Sequence, residues 1–542
     1  MSPTTVSTPR VTRALVALTV AAGVVGMVLR LLPRSALWLD EALSVHISSL
    51  QLGDIPEALR RDGHPPLYYF LLHGWLKLGE SDWWVRALSA LISAAGIPLA
   101  YLAGRRLGWR RGATGLGGTR VGLIAASTWS LLPFAVRYGS ETRMYALVST
   151  LVLGGYLLLD NLVGEPRRTD KPLPSAIPSA IGLALVTAAL LYSHYWALWL
   201  GAATAVVVIV SLVRAVSPDR RRRAWLALGS LAAGVLLFVP WIPAMLFQAD
   251  NTGTPWGEVF RPATILVVTI TDFVGGGFGE LQVVSYVLFT VIAVALFGVL
   301  RLRAGREVIE LTAVPQIRVL TEVTVLLATL GIGWAASAAS SSTYASRYSA
   351  VVAPLFALAV AGGIAMLRTS RATSLATALV CAAFVVGSAV EVVTDRTQAD
   401  MVADAIEAEV AAGASAGDIA VVACPDQLGP ATSRALATRG IDVPVYPYPV
   451  IDSDPRFVDW VGYGERNEAS DPSAFAAEVA ARRGPDTTVY VVANTGYLTF
   501  EGKCEALVAE IGASGGSPEV LVAADADNHF ESMGLWVSRP PG

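Results

Sequence analysis

Two adjacent carboxylates, Asp40 and Glu41, stand in the run Leu37-Trp38-Leu39-Asp40-Glu41-Ala42-Leu43-Ser44, just past the first long apolar segment. Acids held at a bilayer surface are expensive and mark functional positions. A carboxylate within hydrogen-bond reach of a hydroxyl serves as a general base. Successive helical residues point about 100° apart, so only one of the two faces a given site squarely. Asp40 is assigned as the base and Glu41 as its support. The competing reading makes Asp40 the N-cap of a short helix. Capping accounts for Asp40 alone, not for an Asp-Glu pair beside Trp38 in the first loop of a many-span chain.

Four further polar clusters stand at comparable places. Asp62-Gly63-His64-Pro65-Pro66 fixes the backbone of His64, which could bond a phosphate or orient the base; taken alone, a structural turn histidine is the better reading. Arg137-Tyr138-Gly139-Ser140-Glu141-Thr142-Arg143-Met144-Tyr145 puts two cations and an acid at membrane depth, where they are either paired or functional. An internal Glu141–arginine pair and a substrate role both remain open there. Tyr192-Ser193-His194-Tyr195 holds a histidine that reads as a hydrogen-bonded core residue. Tyr344-Ala345-Ser346-Arg347-Tyr348 offers a fixed cation whose donor fork suits phosphate oxygens, or a snorkelling arginine. Lipid packing requires none of these. Together they describe an outward-facing polar cavity with one carboxylate base and several arginines, suited to an anionic lipid-bound substrate and an acceptor hydroxyl.

The elements that must position these residues follow from composition. The 542 residues are 54% hydrophobic and 15% charged, with a net charge of −3, against about 25% charged in soluble domains. Long apolar runs fill residues 12–395, whereas 396–542 have soluble composition. The fold class expected is a polytopic α-helical membrane protein with a C-terminal α/β domain, divided as 1–395 and 396–542. Spans are expected at 13–32, 83–104, 121–137, 143–163, 177–193, 195–214, 224–247, 281–300, 319–339, 348–367 and 373–394, about eleven at about 20 residues each. The first is read as a retained span rather than a cleaved signal.

Basic residues recur in alternate loops: Arg105, Arg106, Arg110, Arg111 and Arg120; Arg167, Arg168 and Lys171; Arg220 to Arg223; Arg301 to Arg318; Arg368 and Arg371. That side is cytoplasmic by the positive-inside rule. An odd span count then places the N-terminus inside and the C-terminal domain outside, beside the loop that carries Asp40. In that loop, 33–82, two short interfacial helices (40–50 and 55–61) precede an apolar stretch, 67–78, too short to span. Trp75, Trp83 and Trp84 suit an interfacial belt. The outward stretch 248–280, with Gly275-Gly276-Gly277-Phe278-Gly279, is a lid or, preferably, a plain connector.

The tail alternates helix and strand: helices at 399–412, 429–439, 472–483 and 503–513, strands at 418–423, 443–446, 487–492 and 520–523. This pattern predicts a small α/β sheet. It shows no phosphate loop, no nucleophile triad and no metal-ligand spacing, His529 stands alone, and no chemistry is assigned to it. Cys381 lies in an apolar run as a packing residue. Cys424 and Cys504, outside the cytoplasm, form either a disulfide or two buried thiols.

At these residues the chain resembles the GT-C glycosyltransferases, in the family 39-like branch related to protein mannosyltransferases and lipid A aminoarabinose transferases. Leu37 to Ala42, Gly63 to Tyr69 and Arg137 to Leu147 carry the resemblance, with Tyr192 to Tyr195 and Ser346 to Tyr348 as further features, over roughly 13–370. The resemblance implies a polyprenyl-phosphate-linked sugar donor, Asp40 as base, inversion at the sugar, and cations, here Arg143 and Arg347, that stabilise the leaving phosphate. His64, Arg137, Glu141, Tyr145, His194 and Tyr348 would line the donor and phosphate site. Some members use a divalent metal; none is expected to be required here. An α/β tail on an Ala-, Val- and Arg-rich chain suggests an actinobacterial cell-envelope enzyme of the plasma membrane that moves mannose or arabinose to a glycan, lipid or protein, with no nucleic-acid partner.

The alternative from another class is a transporter or flippase of a lipid-linked saccharide. It would show repeats and broken mid-membrane helices, which the sequence lacks. A non-catalytic sensor would not require Asp40, His64, Arg143 and Arg347 together.

Overall fold

The computed structural model describes residues 13–32, 35–110, 115–164, 176–252, 261–275, 299–302, 309–312, 319–339, 344–367, 370–393, 396–413, 418–483, 487–494, 500–514 and 517–540. These fall into two compact units. The first comprises Met1–Leu32, Arg86–Ile242 and Val259–Val392; the second comprises Pro33–Val85, Pro243–Glu258 and Val393–Gly542. Units in space therefore differ from the linear division at 395: the loop expected to belong with the spanning segment is grouped with the tail.

The first unit is helical. Among the described residues, six helices are long and apolar enough to cross a membrane: Arg13–Leu31, Asp82–Trp109, Tyr145–Val163, Pro218–Asn251, Leu320–Ala339 and Ser370–Val392. Four more are apolar but shorter: Ala176–Leu191, Ala197–Val213, Pro262–Phe273 and Ala353–Ile364. Arg13–Leu31 shows why these sequences make lipid-facing helices. Val16, Val20, Val24 and Val28, spaced by four, form one exposed apolar stripe, while Leu15, Ala22, Gly26 and Arg30 are buried. The pattern is a soluble helix turned inside out, with small residues at the helix–helix seam. Gly26 sits on the Ser130 carbonyl, where a Cβ would collide. Arg30 is satisfied inside: Nε donates to Ser93 Oγ (2.8 Å), and Nη1 donates to Gly26 O (2.9 Å) and Ser130 O (2.7 Å).

Three details differ from expectation. The span expected at 121–137 is two helices, Gly115–Leu131 and Pro133–Arg137, because Pro133 lacks the N–H that would continue the first. The span expected at 348–367 is a 3₁₀ turn, Ser346–Val351, followed by the 12-residue Ala353–Ile364. The stretch 248–280 holds a helix, Pro262–Phe273, with Arg261 as N-cap and Pro262 at its first position, so it is not a plain connector. The expected span 281–300 lies outside the described residues except for Val299 and Leu300. These belong to β1, Val299–Leu302, which pairs antiparallel with β2, Ile309–Thr312. The glycines 276, 277 and 279 also lie outside the described residues.

The second unit is built on a five-stranded sheet: β3 Ile419–Cys424, β4 Val445–Pro447, β5 Thr488–Ala493, β6 Glu519–Val522 and β7 Gly534–Ser538, in the order β4-β3-β5-β7-β6. The β4-β3-β5 part is parallel, and β7 runs antiparallel to β5 and β6. Strand β3 is buried throughout, as a strand covered on both faces must be. Its alternate residues feed two cores. Val421 and Ala423 join Val402, Ile406, Ala431 and Leu436 on one face; Val422 and Cys424 join Tyr448, Phe475, Val479 and Leu507 on the other. Sequence periodicity finds eight of the tail elements but misses β7, the 3₁₀ turn Asp426–Leu428 and the polar six-residue helix Tyr463–Glu468. Cys424 and Cys504 are bonded to each other, and Cys381 is a buried free thiol.

The first loop enters these cores. Ala36 packs in one, Trp38 and Leu39 in the other. Helices Leu39–Ser49, Ile55–Asp62 and Leu67–Leu76 follow; the last, at 10 residues, is too short to span. Gly63 ends Ile55–Asp62 in the left-handed region (φ 95°), which glycine enters without a Cβ clash. Further ties hold the loop to the tail: Arg61 to Asp459 (2.7 Å), Arg434 Nε to Asp82 (3.0 Å) and the Trp460 amide to Arg61 O (3.2 Å).

Candidate active site

In the second unit, Asp40 and Glu41 occupy the first turn of helix Leu39–Ser49, where carboxylates are favoured by the helix dipole. The N-cap is Trp38, which makes no side-chain cap. Asp40 is therefore not the capping residue, and the competing account of it lapses. Glu41 is fully buried and Asp40 is the more exposed of the pair.

The missing cap comes from the tail. Leu39 N donates to Glu531 Oε1 (3.0 Å), and Thr397 Oγ1 donates to Glu531 Oε2 (2.7 Å). Burial, with the charges of Asp40 and Glu41 adding to it, pushes the Glu531 carboxyl up to about 8, against the opposing pull of its two donors. Phe530 meets Trp38 edge-on at 5.2 Å. Just before the helix, Ala36 N donates to Asp400 Oδ2 (2.7 Å).

His64 is turned to its own loop. Nδ1 lies 2.8 Å from Asp62 Oδ2, to which the Tyr69 hydroxyl also donates (3.2 Å). Gln248 Nε2 donates to Leu59 O (2.8 Å) and His64 O (3.5 Å). This is the turn arrangement favoured for His64 taken alone.

In the first unit the other sequence candidates gather. Arg137 lies among three carboxylates: Glu141 (3.6 Å), Asp272 (3.5 Å) and Glu391 (3.2 Å). Its charge is spent on this network, so the internal-pair account fits Arg137 better than phosphate binding. Tyr138 OH donates to Asp272 Oδ2 (3.5 Å), and Ser346 bonds the same carboxylate. An aromatic row links the rest: Tyr138 to Tyr145 at 4.9 Å, Tyr145 to His194 at 5.8 Å, His194 to Tyr348 at 5.2 Å. Trp196 N donates to His194 Nδ1 (3.2 Å), which suits a core histidine. Arg143 is buried, its guanidinium 6.0 Å from the Tyr145 ring centroid. Arg347 lies next to Ser346 and Tyr348 and acts electrostatically on Tyr138. Arg137, Glu141, Arg143, Tyr145, His194, Arg347 and Tyr348 thus share one neighbourhood.

Sequence reasoning missed Asp272, Glu391 and Glu531. The signal for Glu391 was present: a single acid near the end of an apolar helix. Asp272 was hidden in a stretch read as a connector. Glu531 carried no signal, since an acid in a soluble tail is unremarked until its burial is known.

A scan against protein-family models and a search of curated proteins found no match. Among solved structures, the chain is similar to ArnT from Cupriavidus metallidurans in the apo state, at 14% identity and a TM-score of 0.58, covering 96% of this chain and 97% of that one. The same protein bound to undecaprenyl phosphate gives a TM-score of 0.57 at 14% identity, with the same coverage. The chain has the GT-C fold. The oligosaccharyltransferase of Archaeoglobus fulgidus, in complex with Zn and sulfate, matches at 13% identity and a TM-score of 0.46, covering 88% of this chain and 67% of that one. The likeness to ArnT takes in the tail as well as the helices, a wider extent than the sequence motifs at roughly 13–370.

Proposed function

We propose that this protein is an inverting glycosyltransferase. It moves a sugar, mannose or arabinose, from a polyprenyl-phosphate donor to a glycan, lipid or protein of the cell envelope, at the outer face of the plasma membrane. The observation that carries the reading is the GT-C fold along nearly the whole chain, shared with an ArnT structure that holds undecaprenyl phosphate. The partly buried Asp40 in the first turn of Leu39–Ser49 supports it.

In the mechanism, Asp40 takes the proton of the acceptor hydroxyl as its oxygen bonds to the anomeric carbon. The bond from that carbon to the phosphate oxygen breaks, and the polyprenyl phosphate leaves with the electron pair, so the anomeric configuration inverts. Arg143 and Arg347 stabilise the departing charge, as fixed cations do best where charge develops. Glu41, buried in the same turn, fixes the helix start. Arg137, Glu141 and Tyr145 shape the phosphate side, with His194 and Tyr348 stacked behind them; His64 holds the loop. The proposal needs no divalent metal. The N-terminus is cytoplasmic and the tail extracytoplasmic.

The test is transfer from radiolabelled polyprenyl-phosphate-mannose and polyprenyl-phosphate-arabinose by the reconstituted protein and by Asp40→Asn. The variant folds and binds donor but loses transfer at least about a hundredfold, the scale of a general base. Parental transfer by Asp40→Asn overturns Asp40 as base. Failure of the parent to transfer either sugar to any envelope extract overturns the glycosyltransferase reading in favour of a transporter.

A further inference from the structure

We propose that Glu531, in the tail, is a positioning residue for Asp40: held by Thr397, its carboxyl accepts the Leu39 amide hydrogen and fixes the helix turn that carries the base. This rests on the reading of Asp40 given above.

The first four amides of a helix have no acceptor within it. A side chain at the N-cap ordinarily supplies one, and Trp38 cannot. Glu531 does so from 492 residues away. Its own place is fixed on every side. Its amide donates to Arg396 O (2.7 Å), and its carbonyl accepts from the Gln398 amide (3.2 Å). Its neighbour Phe530 lies on Trp38, and the Ser532 hydroxyl and carbonyl both accept from the Asn494 side-chain amide. Asp400 holds Ala36 in the same way. Two tail carboxylates therefore grip the backbone of the short run 36–39 that leads into Asp40.

The choice of a carboxylic acid is the telling feature. Glu531 is 3% exposed, and a buried acid is costly where an amide would serve. Glutamine would make both hydrogen bonds, its oxygen accepting from Leu39 and its nitrogen donating to Thr397. Among the described residues, the charges that act most on Glu531 are those of Asp40 and Glu41, both negative. From the segment before helix Ala399–Ala411 it meets the Thr397 hydroxyl and the Arg396 main chain. On its own segment, His529 is engaged with Asp525 (3.7 Å). A third carboxyl beside two others adds a charge that depends on pH. With its carboxyl raised to about 8, Glu531 is neutral below that pH and ionised above it.

The sign for stability follows. Between the ordinary glutamate range and about 8 the unfolded chain has lost this proton and the folded chain keeps it, so the group's contribution falls as pH rises. Glu531→Gln therefore melts higher than the parent at about pH 8.5 and equally at about pH 4.

The experiment measures transfer from polyprenyl-phosphate-mannose and polyprenyl-phosphate-arabinose, across pH, for the full-length parent, Glu531→Gln, Glu531→Ala and Asp40→Asn. Glu531→Ala lowers kcat about tenfold or more, with donor KM within about threefold, the signature of a misplaced base rather than lost binding. Glu531→Gln regains most of that kcat, because it keeps both hydrogen bonds, and loses the bend near pH 8 that the parent shows. The isosteric glutamine keeps the test valid if the alanine variant fails to fold. Parental kcat in Glu531→Ala, or a bend that persists in Glu531→Gln, overturns the inference while an inactive Asp40→Asn leaves the base in place. Parental transfer by Asp40→Asn overturns the base itself, and the inference with it.

Discussion

Arg137 and Arg143 lie six residues apart in one motif, yet their surroundings give them different work. Arg137 balances Glu141, Asp272 and Glu391. Removing it takes a cation from the buried Glu141 and from Asp272 and Glu391, and breaking a buried pair costs about 3–5 kcal/mol. Arg143 is buried against Tyr145, and in the proposed mechanism it stabilises the leaving phosphate. We expect Arg143→Gln to lower kcat about a hundredfold in a purified, folded protein. Arg137→Gln is expected instead to lower the melting temperature and the yield. Thermal melts beside transfer kinetics separate the two, and a normal kcat in Arg143→Gln would remove it from the phosphate role.

At the scale of elements, the seam between helices Arg13–Leu31 and Gly115–Leu131 depends on Gly26 lying on Ser130 O. The same carbonyl accepts from Arg30. A side chain at 26 pushes the helices apart and strips Arg30 of acceptors at once. Gly26→Leu is expected to reduce the folded fraction in membranes sharply, read as loss of a monodisperse peak after detergent extraction. Val20→Leu, on the exposed stripe, is expected to leave that peak intact, because lipid accepts either side chain. The same logic makes apolar runs legible as helices while saying little about which faces pack.

For the whole molecule, the loop that carries Asp40 is part of the tail unit rather than an appendage of the spanning helices. The tail therefore has a bearing on the base, although no catalytic group is assigned to it. Its disulfide ties the end of β3 to helix Lys503–Ser514 across 80 residues. A closure of that length contributes about 2–5 kcal/mol. Cys424→Ser is expected to lower the melting temperature and, through the loosened second unit, to reduce transfer; dithiothreitol on the parent is expected to reproduce both. Unchanged melting in the variant would show that the sheet holds without the bond.

Much of this was present in the order of residues alone. Length and hydropathy mark apolar helices, since a bilayer accepts little else, and the helix–strand alternation of the tail follows from period and turn chemistry. The motif residues around Asp40, Arg143 and Arg347 could be picked out because charge beside apolar sequence is costly and so conspicuous. Three things required the tertiary structure. The helix Pro262–Phe273 went unread, and so did β7, which is defined by its pairing with β5 and β6 rather than by a pattern of its own. The commitment of Arg137 depends on Asp272 and Glu391, more than a hundred residues away. The cap on Leu39 comes from Glu531, an acid that looks ordinary in a soluble tail until folding buries it beside Asp40 and Glu41. Local sequence carries propensity and periodicity; which charges become neighbours is decided only when distant segments pack.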